Sequence, residues 1–304
     1  MKICLHTLFA AGLFSFATGL QAGEEDLAAP PVVTAKSWAI ADARSGEVLW
    51  QHDADEPRKA ASTAKMMCAY TVLRLAEKEP AVMDEWVTFS KLADSTAGST
   101  SGIKAGERAT VRDCLHGLLL PSGNDAGNAL AQHFNARLEP PDEALLKAGL
   151  DNAMLKSRVN FLAEMNRNAK EAGMARTFYR SPFGDGGTEK EFTTTAAELC
   201  RLAWTAMKMP AFRQHVSTRR YEAEVHGPDG ATRKIVWENS NELLGLDMGY
   251  DGIKTGLTTT AGNCLVASGH RGEDHLYVVV LGSTSKESRF GDTRNLFRWA
   301  WTKR

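Results

Sequence analysis

The chain has 304 residues, with 36 Lys and Arg against 37 Asp and Glu, a formal net charge of −1, and 43% hydrophobic residues. This composition is that of an ordinary globular protein. Because the charges balance, the chain lacks the overall basic field that binds nucleic acid by electrostatics, and we expect no nucleic acid partner. The length suits one body of catalytic size.

The N-terminus has the pattern of a secretory signal peptide. Lys2 provides a positive start, residues 8–17 form a short apolar run, and Ala22 is a small residue suited to cleavage. The apolar run is shorter than the roughly 20 residues that a membrane-spanning helix needs. We therefore predict a signal peptide over residues 1–22, export to the periplasm or cell envelope, and a flexible lead-in over residues 23–35.

The rest of the chain changes pattern twice. Strand-like runs at 37–41 and 47–50 flank a turn and predict a hairpin. The next patterns are mostly helical, at 60–76, 111–120, 126–134, 143–172 and 195–207. Strand-like runs then return at 234–237, 252–255, 263–268 and 276–281, before a final helix at about 287–301.

This order predicts an α/β fold in which both ends of the chain build one sheet. A helical lobe, roughly residues 66–210, is inserted between the two ends. We expect a single domain over residues 36–304, with a ligand site in the cleft between the sheet and the lobe.

Cysteines and histidines are spread along the chain without a metal-binding spacing. Four cysteines follow the predicted signal peptide, at Cys68, Cys114, Cys200 and Cys264. There is no C-x-x-C and no H-E-x-x-H, so we expect no metal and no other cofactor. Four thiols allow three disulfide pairings, and buried free thiols are an equal alternative.

Three short motifs carry residues suited to chemistry. Residues 62–65 read S-x-x-K and place a hydroxyl and an amine one turn apart on a predicted helix, as a serine nucleophile and its base require. Residues 122–124 read S-G-N between two helices, where a helix-capping turn is the alternative. Residues 254–256 read K-T-G on a predicted strand. Further S-x-x-K matches at 101–104 and 283–286 do not start a predicted helix, and we interpret them as chance.

In this order on helix, loop and strand, the three motifs resemble the S-x-x-K, S-x-N and K-T-G set of penicillin-recognising serine enzymes. Over residues 36–301 the chain resembles the D-alanyl-D-alanine carboxypeptidases among the low-molecular-mass penicillin-binding proteins. The resemblance implies a β-lactamase/D,D-peptidase-like α+β fold, with an antiparallel sheet flanked by helices. It also implies peptidoglycan stem peptides as substrates and β-lactam antibiotics as covalent inhibitors.

The resemblance implies catalytic roles for four side chains. Ser62 would attack the carbonyl between the last two D-alanines, and Lys65 would accept its proton. Ser122 and Lys254 would relay a proton to the leaving amine. The product would be an acyl-enzyme that water hydrolyses.

The resemblance also implies binding roles. Asn124 would hold the stem peptide, and Lys254 with Thr255 would receive its terminal carboxylate. Gly256 would let the substrate lie against the strand without a side-chain clash. The backbone N–H groups of Leu257 and of the nucleophilic serine would form the oxyanion hole.

The chain departs from related enzymes at several positions. Gly123 is usual in the carboxypeptidases, whereas class A β-lactamases carry Asp there. Glu164 is the acidic residue best placed for deacylation, yet its surroundings resemble a structural helix. We assign no arginine to carboxylate binding after the last strand, because residues 283–286 occupy that region. Residues 137–159 look like an insertion in the lobe.

Three alternatives to a D,D-carboxypeptidase stay open at this point. A D,D-endopeptidase would cleave peptidoglycan crosslinks with the same residues. A penicillin-sensing protein would be acylated and turn over very slowly, and a β-lactamase would hydrolyse the drug. The C-terminal residues form no basic amphipathic pattern, so we expect no C-terminal membrane anchor.

Overall fold

A computed structural model describes residues 29–151, 155–184, 192–246 and 248–304. The predicted signal peptide, residues 1–22, lies outside the described residues. At the end of the predicted lead-in, Asp292 accepts hydrogen bonds from the Thr34 backbone N–H (3.0 Å), the Thr34 hydroxyl (2.7 Å) and the Ala35 N–H (3.0 Å). Within the described ranges, no helix is long and apolar enough to cross a membrane.

The strands in chain order are β1 (Ser37–Asp42), β2 (Val48–His52), β3 (Arg58–Lys59), β4 (Trp86–Thr88), β5 (Arg108–Thr110), β6 (Thr193–Thr194), β7 (Arg220–His226), β8 (Thr232–Glu238), β9 (Tyr250–Thr258), β10 (Gly262–Arg271) and β11 (Asp274–Ser283). The helices are α1 (Lys65–Lys78), α2 (Lys91–Asp94), α3 (Val111–Leu119), α4 (Asn124–Phe134), α5 (Glu143–Leu145), α6 (Val159–Glu171), α7 (Ala196–Ala206), α8 (Pro210–Ser217) and α9 (Lys286–Trp301).

Both ends of the chain build the main sheet, as predicted. Its order is β2-β1-β11-β10-β9, and every neighbouring pair is antiparallel. The predicted N-terminal hairpin is therefore present, and β1 lies directly beside β11 near the other end of the chain.

Apolar side chains alternate between the two faces of this sheet, as the two-residue period of a strand requires. Ile40, Val278 and Val280 pack on one face with Phe297 of α9. Ala39, Val279 and Leu281 pack on the other face in one cluster with α1 and α7. The strands are thus buried on both sides, which explains their nearly continuous apolar sequence.

The predicted helical lobe contains the strands β4, β5 and β6 as well as helices. β4 and β5 join β7 and β8, which follow the predicted lobe, in a second sheet of order β4-β5-β7-β8, most of which was not predicted. The predicted helix at 143–172 is also interrupted: α5 ends at Leu145, a short π-helical segment follows, and α6 begins at Val159. Gly149 has φ +118°, which lies outside the helical region and explains the break.

The four cysteines Cys68, Cys114, Cys200 and Cys264 form no disulfides. Each is a buried free thiol. Burial raises the pKa of Cys68 to about 12, so this thiol stays protonated and unreactive.

Candidate active site

The first motif forms a tight turn that leads into the buried helix α1. Ser62 lies in a 3-10 turn, Ala61–Ala64, and Lys65 is the first residue of α1. Lys65 is fully buried, and its Nζ donates to Ser62 Oγ at 2.8 Å. It also donates to Asn124 Oδ1 at 2.7 Å and to the Phe183 carbonyl at 3.2 Å. These bonds join the first two motifs directly.

The second motif lies in the turn between α3 and α4. Ser122 has φ +66°, a left-handed conformation that is strained for a residue with a side chain. Its carbonyl accepts a hydrogen bond from Ser99 Oγ at 2.5 Å. Its own Oγ is buried and has no hydrogen-bond partner among the described residues. Asn124 begins α4, and its Nδ2 donates to the Ala97 carbonyl at 2.7 Å.

A steric reason explains the glycine in the middle of this motif. A Cβ built on Gly123 would lie 2.7 Å from the Gly117 carbonyl oxygen and 2.8 Å from the Ser101 nitrogen. Real Cβ atoms essentially never approach backbone atoms so closely. The Asp that class A β-lactamases carry here would therefore require the backbone to shift.

A buried carboxylate fixes the loop beside the second motif. Asp125 is 1% exposed and accepts hydrogen bonds from Thr100 Oγ1 at 2.7 Å and from the Gly102 N–H at 3.2 Å. It also accepts from the Ser101 N–H and from the Ser101 Oγ, each at 2.8 Å. No role was predicted for Asp125 from the sequence, although an acid in the first turn of a helix is a recognisable signal.

The third motif lies on β9, at the edge of the main sheet. Lys254 is buried, and its Nζ donates to the Thr255 carbonyl at 3.1 Å and to Thr255 Oγ1 at 3.4 Å. Burial holds the pKa of Lys254 well below its usual value, and the charges of Lys65 and Arg289 add to this effect. Thr255 Oγ1 also lies 2.7 Å from Ser240 Oγ.

Gly256 brings β9 against the serine turn. A Cβ at Gly256 would lie 2.7 Å from the Ala60 carbonyl oxygen and 3.3 Å from the Ser62 nitrogen. The turn that carries Ser62 therefore occupies the space that a side chain at position 256 would need, which is a reason for glycine in addition to the approach of a substrate. The next residue, Leu257, is 60% exposed at the edge of the cleft.

An arginine reaches the third motif from the last helix. Arg289 lies in the first turns of α9, is 5% exposed, and donates to the carbonyls of Gly256 at 3.2 Å and Cys264 at 3.4 Å. No arginine in this region had a clear match in the sequence, and the structure places Arg289 there. Arg289 lies four positions after Ser285, the N-cap of α9, and only the packing of this helix against the sheet brings the guanidinium to β9.

These residues converge on one cleft of about 450 Å³. It is lined by Ser62, Gly98, Ser99, Pro121, Ser122, Asn124, Asn239, Ser240, Glu242, Thr255, Gly256, Leu257, Asn263, Lys286 and Arg289. Lys65 and Lys254 are buried beside these lining residues. Lys286 forms an ion pair with Glu242 at the cleft. The structure therefore brings together every site residue that the sequence predicted.

Glu164 lies elsewhere. It is on α6, forms an ion pair with Arg167 at 3.1 Å, and is not among the residues that line the cleft. This position supports the interpretation of its surroundings as a structural helix.

Known proteins with similar sequences and structures agree on one family. A sequence profile of the D-alanyl-D-alanine carboxypeptidase family matches residues 24–138 and 149–285. The unmatched residues 139–148 fall within the predicted insertion. The D-alanyl-D-alanine carboxypeptidase of Streptomyces sp. strain K15 is 30% identical over 300 residues, which is 97% of this chain and 97% of that protein.

Other relatives are longer than this chain. DacC of Escherichia coli K12 is 30% identical, and the match covers 96% of this chain and 67% of that protein. DacF of Bacillus subtilis strain 168 is 27% identical, and this chain spans 62% of its length. The crystal structure of the Streptomyces K15 DD-transpeptidase superposes with a TM-score of 0.78 at 30% identity, covering 90% of this chain and 99% of that one. The chain belongs to the D-alanyl-D-alanine carboxypeptidase family.

Proposed function

We propose that this protein is a serine D,D-carboxypeptidase that removes the terminal D-alanine from peptidoglycan stem peptides. The observation that carries the proposal is the 2.8 Å contact between Lys65 Nζ and Ser62 Oγ at the base of the cleft. Ser62 Oγ bonds to the carbonyl carbon of the penultimate D-alanine, the amide C–N bond breaks, and the terminal D-alanine leaves. Water then hydrolyses the ester and frees Ser62.

Lys65 is the base in this proposal. A lysine accepts a proton only as the neutral amine, and burial beside other cations favours that form. Lys65 is fully buried, and it lies close enough to Lys254 that a charge on Lys65 disfavours a charge on Lys254. The hydrogen bond from Lys65 to Asn124 fixes the direction of Nζ towards Ser62.

Ser122 and Lys254 complete the proton path to the leaving amine. Ser122 Oγ is buried in the cleft without a partner among the described side chains and is thus available to donate or accept. A proton passing from Lys65 through Ser122 to the leaving nitrogen would produce a neutral amine, which is a better leaving group.

A positive subsite suits the terminal carboxylate of the substrate. Lys254, Thr255 and Arg289 lie at the same end of the cleft, and Ser240 adds a hydroxyl beside Thr255. A carboxylate bound here adds the negative charge that favours a protonated Lys254. The subsite therefore selects substrates that end in a free carboxylate. The backbone N–H groups of Ser62 and Leu257 serve as the oxyanion hole for the carbonyl that Ser62 attacks.

The rival within the same chemistry is a D,D-endopeptidase. We expect purified protein to release D-alanine from a free pentapeptide and to leave a crosslinked dimer intact. Cleavage of the dimer at a comparable rate would support the endopeptidase instead. The relative described as a DD-transpeptidase makes an added amine acceptor a useful third arm, because aminolysis faster than hydrolysis would identify a transpeptidase.

Two further alternatives are tested by turnover of β-lactams, which we propose act as covalent inhibitors. A sensing protein would be acylated by a labelled penicillin yet release no D-alanine from the pentapeptide. A β-lactamase would hydrolyse nitrocefin through many turnovers per molecule. The backbone atoms around Gly123 and the position of Glu164 outside the cleft lining both favour the peptidase.

The site of action that fits this chemistry is the cell wall. We infer that residues 1–22 direct export and that the protein meets its substrate in the cell envelope. Detecting the protein in the periplasmic or wall fraction, with an N-terminus near Gly23, would support this part of the proposal.

A further inference from the structure

Three strands of the main sheet bring imidazole and carboxylate side chains together away from the cleft. Asp251 on β9, His270 on β10 and His275 on β11 each offer one ligand atom, and these atoms lie within 4.8 Å of one another. His270 and His275 are directly opposite across the β10–β11 pair, and their rings stack with centroids 3.6 Å apart. His270 Nε2 lies 2.9 Å from Asp251 Oδ2.

The spacing suits a metal ion. Zinc binds histidine nitrogen and carboxylate oxygen at about 2.0–2.2 Å, so two ligands on a tetrahedral ion lie roughly 3.3 Å apart. His270 Nε2 and Asp251 Oδ2 are 2.9 Å apart, and the three ligand atoms all lie within 4.8 Å of one another. All three residues are fixed to paired strands of one sheet, so side-chain rotations alone can complete the site.

The hydrogen bonding of His275 also suits a ligand. His275 Nε2 lies 2.8 Å from Ser268 Oγ, and such a contact orients the ring as outer-shell partners of metal ligands do.

A second observation points to a missing partner in the cluster. Asp251 Oδ1 is buried and has no hydrogen-bond partner among the described residues. A buried carboxylate oxygen without a donor carries a desolvation penalty, and a bound cation removes it. The other oxygen of the same carboxylate is the one that contacts His270.

We propose that Asp251, His270 and His275 form a binding site for one late first-row divalent cation, with Zn²⁺ as the reference ion. Two imidazoles and one carboxylate suit such ions better than Mg²⁺ or Ca²⁺, which prefer oxygen ligands. Water takes the remaining position. The ion ties β9, β10 and β11 together roughly 10 Å along the strand from Lys254, which is three residues beyond Asp251.

The sequence gives no sign of this site. His270 and His275 flank a turn, and Asp251 comes from the preceding strand, so the three residues have no motif spacing. The expectation of no metal relied on such motifs. The present site is structural, lies outside the catalytic cleft, and is independent of the proposed activity.

The test uses the full mature chain without a histidine tag, stripped with a chelator and then titrated with Zn²⁺. We expect one Zn²⁺ per chain by calorimetry and by elemental analysis after dialysis. Zn²⁺ is also expected to raise the melting temperature by several degrees, whereas Mg²⁺ does not. His270→Gln and His275→Gln should each weaken binding at least tenfold and abolish the shift.

A matched control is available elsewhere in the chain. His226 lies 3.0 Å from Glu224 and so forms a histidine–carboxylate pair, but neither residue belongs to the three-residue cluster. His226→Gln should leave Zn²⁺ binding unchanged. Absence of stoichiometric binding to the wild type, or equal losses in the control and the cluster variants, would overturn the proposal.

The absorption spectrum of bound Co²⁺ tests the site in variants of altered stability. We expect wild-type protein to give a d–d spectrum that Asp251→Asn and His270→Gln change or remove while their circular dichroism stays native. An unchanged spectrum in both folded variants would place the ion elsewhere and refute the assignment.

Discussion

Replacing Asp125 tests whether the loop beside the second motif depends on one buried carboxylate. In Asp125→Ala, the N–H and hydroxyl of Ser101 lose their acceptor while Ser101 stays buried. A buried donor without a partner costs about 1–3 kcal/mol, so these two donors together predict a loss of about 2–6 kcal/mol in the free energy of unfolding. The donors on Thr100 and Gly102 add little, because both residues reach solvent.

Asp125→Asn separates the loop geometry from overall stability. It keeps one acceptor oxygen and the side-chain volume but loses the charge. We expect the weakened hydrogen bonds to lower the free energy of unfolding by about 1–3 kcal/mol. Because Asn124 is adjacent and its amide binds Ala97 in the same region, kcat should fall at least tenfold with little change in KM.

The assay combines urea unfolding, D-alanine release and the acylation rate with a labelled penicillin. Asp229→Asn is the matched control, since Asp229 is an exposed acid that accepts one backbone hydrogen bond from Ala231. It should change neither stability nor kcat measurably. If Asp125→Asn were as stable and as active as the wild type, the positioning role of Asp125 would be refuted.

Three further substitutions test other parts of the account. Arg289→Leu should lower kcat/KM for a pentapeptide by roughly 10–100-fold, mainly by raising KM, because it removes a cation from the carboxylate subsite. An unchanged KM in folded Arg289→Leu would contradict the assignment of Arg289 to that subsite. Gly123→Asp should slow acylation by penicillin and destabilise the fold, which unfolding and labelling would detect, since its Cβ meets backbone atoms. Burial is the main cause that lowers the pKa of His116 from 6.5 to about 3. As the pH falls from 6.5 to 3, the unfolded state therefore takes up this proton before the folded state does, and the free energy of unfolding decreases. His116→Asn should reduce this loss of stability in acid. Between pH 7 and pH 5, the wild type should lose about 2 kcal/mol more of its free energy of unfolding than His116→Asn, as measured by urea unfolding. The same pH dependence in both proteins would contradict this expectation.

The sequence predicted elements with strong periodicity and missed those without it. The apolar runs of β10 and β11 and the hairpin of β1 and β2 have enough consecutive signal to be identified. The short strands β4 and β5 have only three residues each, too few for a two-residue period to be recognised. In contrast, β7 has a period of two, with charged and apolar residues in alternation, and no strand was predicted there.

The candidate site divides in the same way. Ser62, Lys65 and Lys254 lie in motifs whose order along the chain is itself informative. Arg289 lies on a helix that follows the last strand, and only the packing of α9 against the sheet shows that it reaches Gly256. The need for a glycine at 256 likewise depends on contact with a turn nearly 200 residues earlier, which no local pattern contains.

The most direct test of the central claim is mass spectrometry of isolated peptidoglycan before and after digestion with the purified protein. We expect pentapeptide muropeptides to become tetrapeptides, crosslinked dimers to keep their abundance, and Ser62→Ala to leave every species unchanged. Conversion of pentapeptides by folded Ser62→Ala, or loss of dimers with pentapeptides intact, would contradict it.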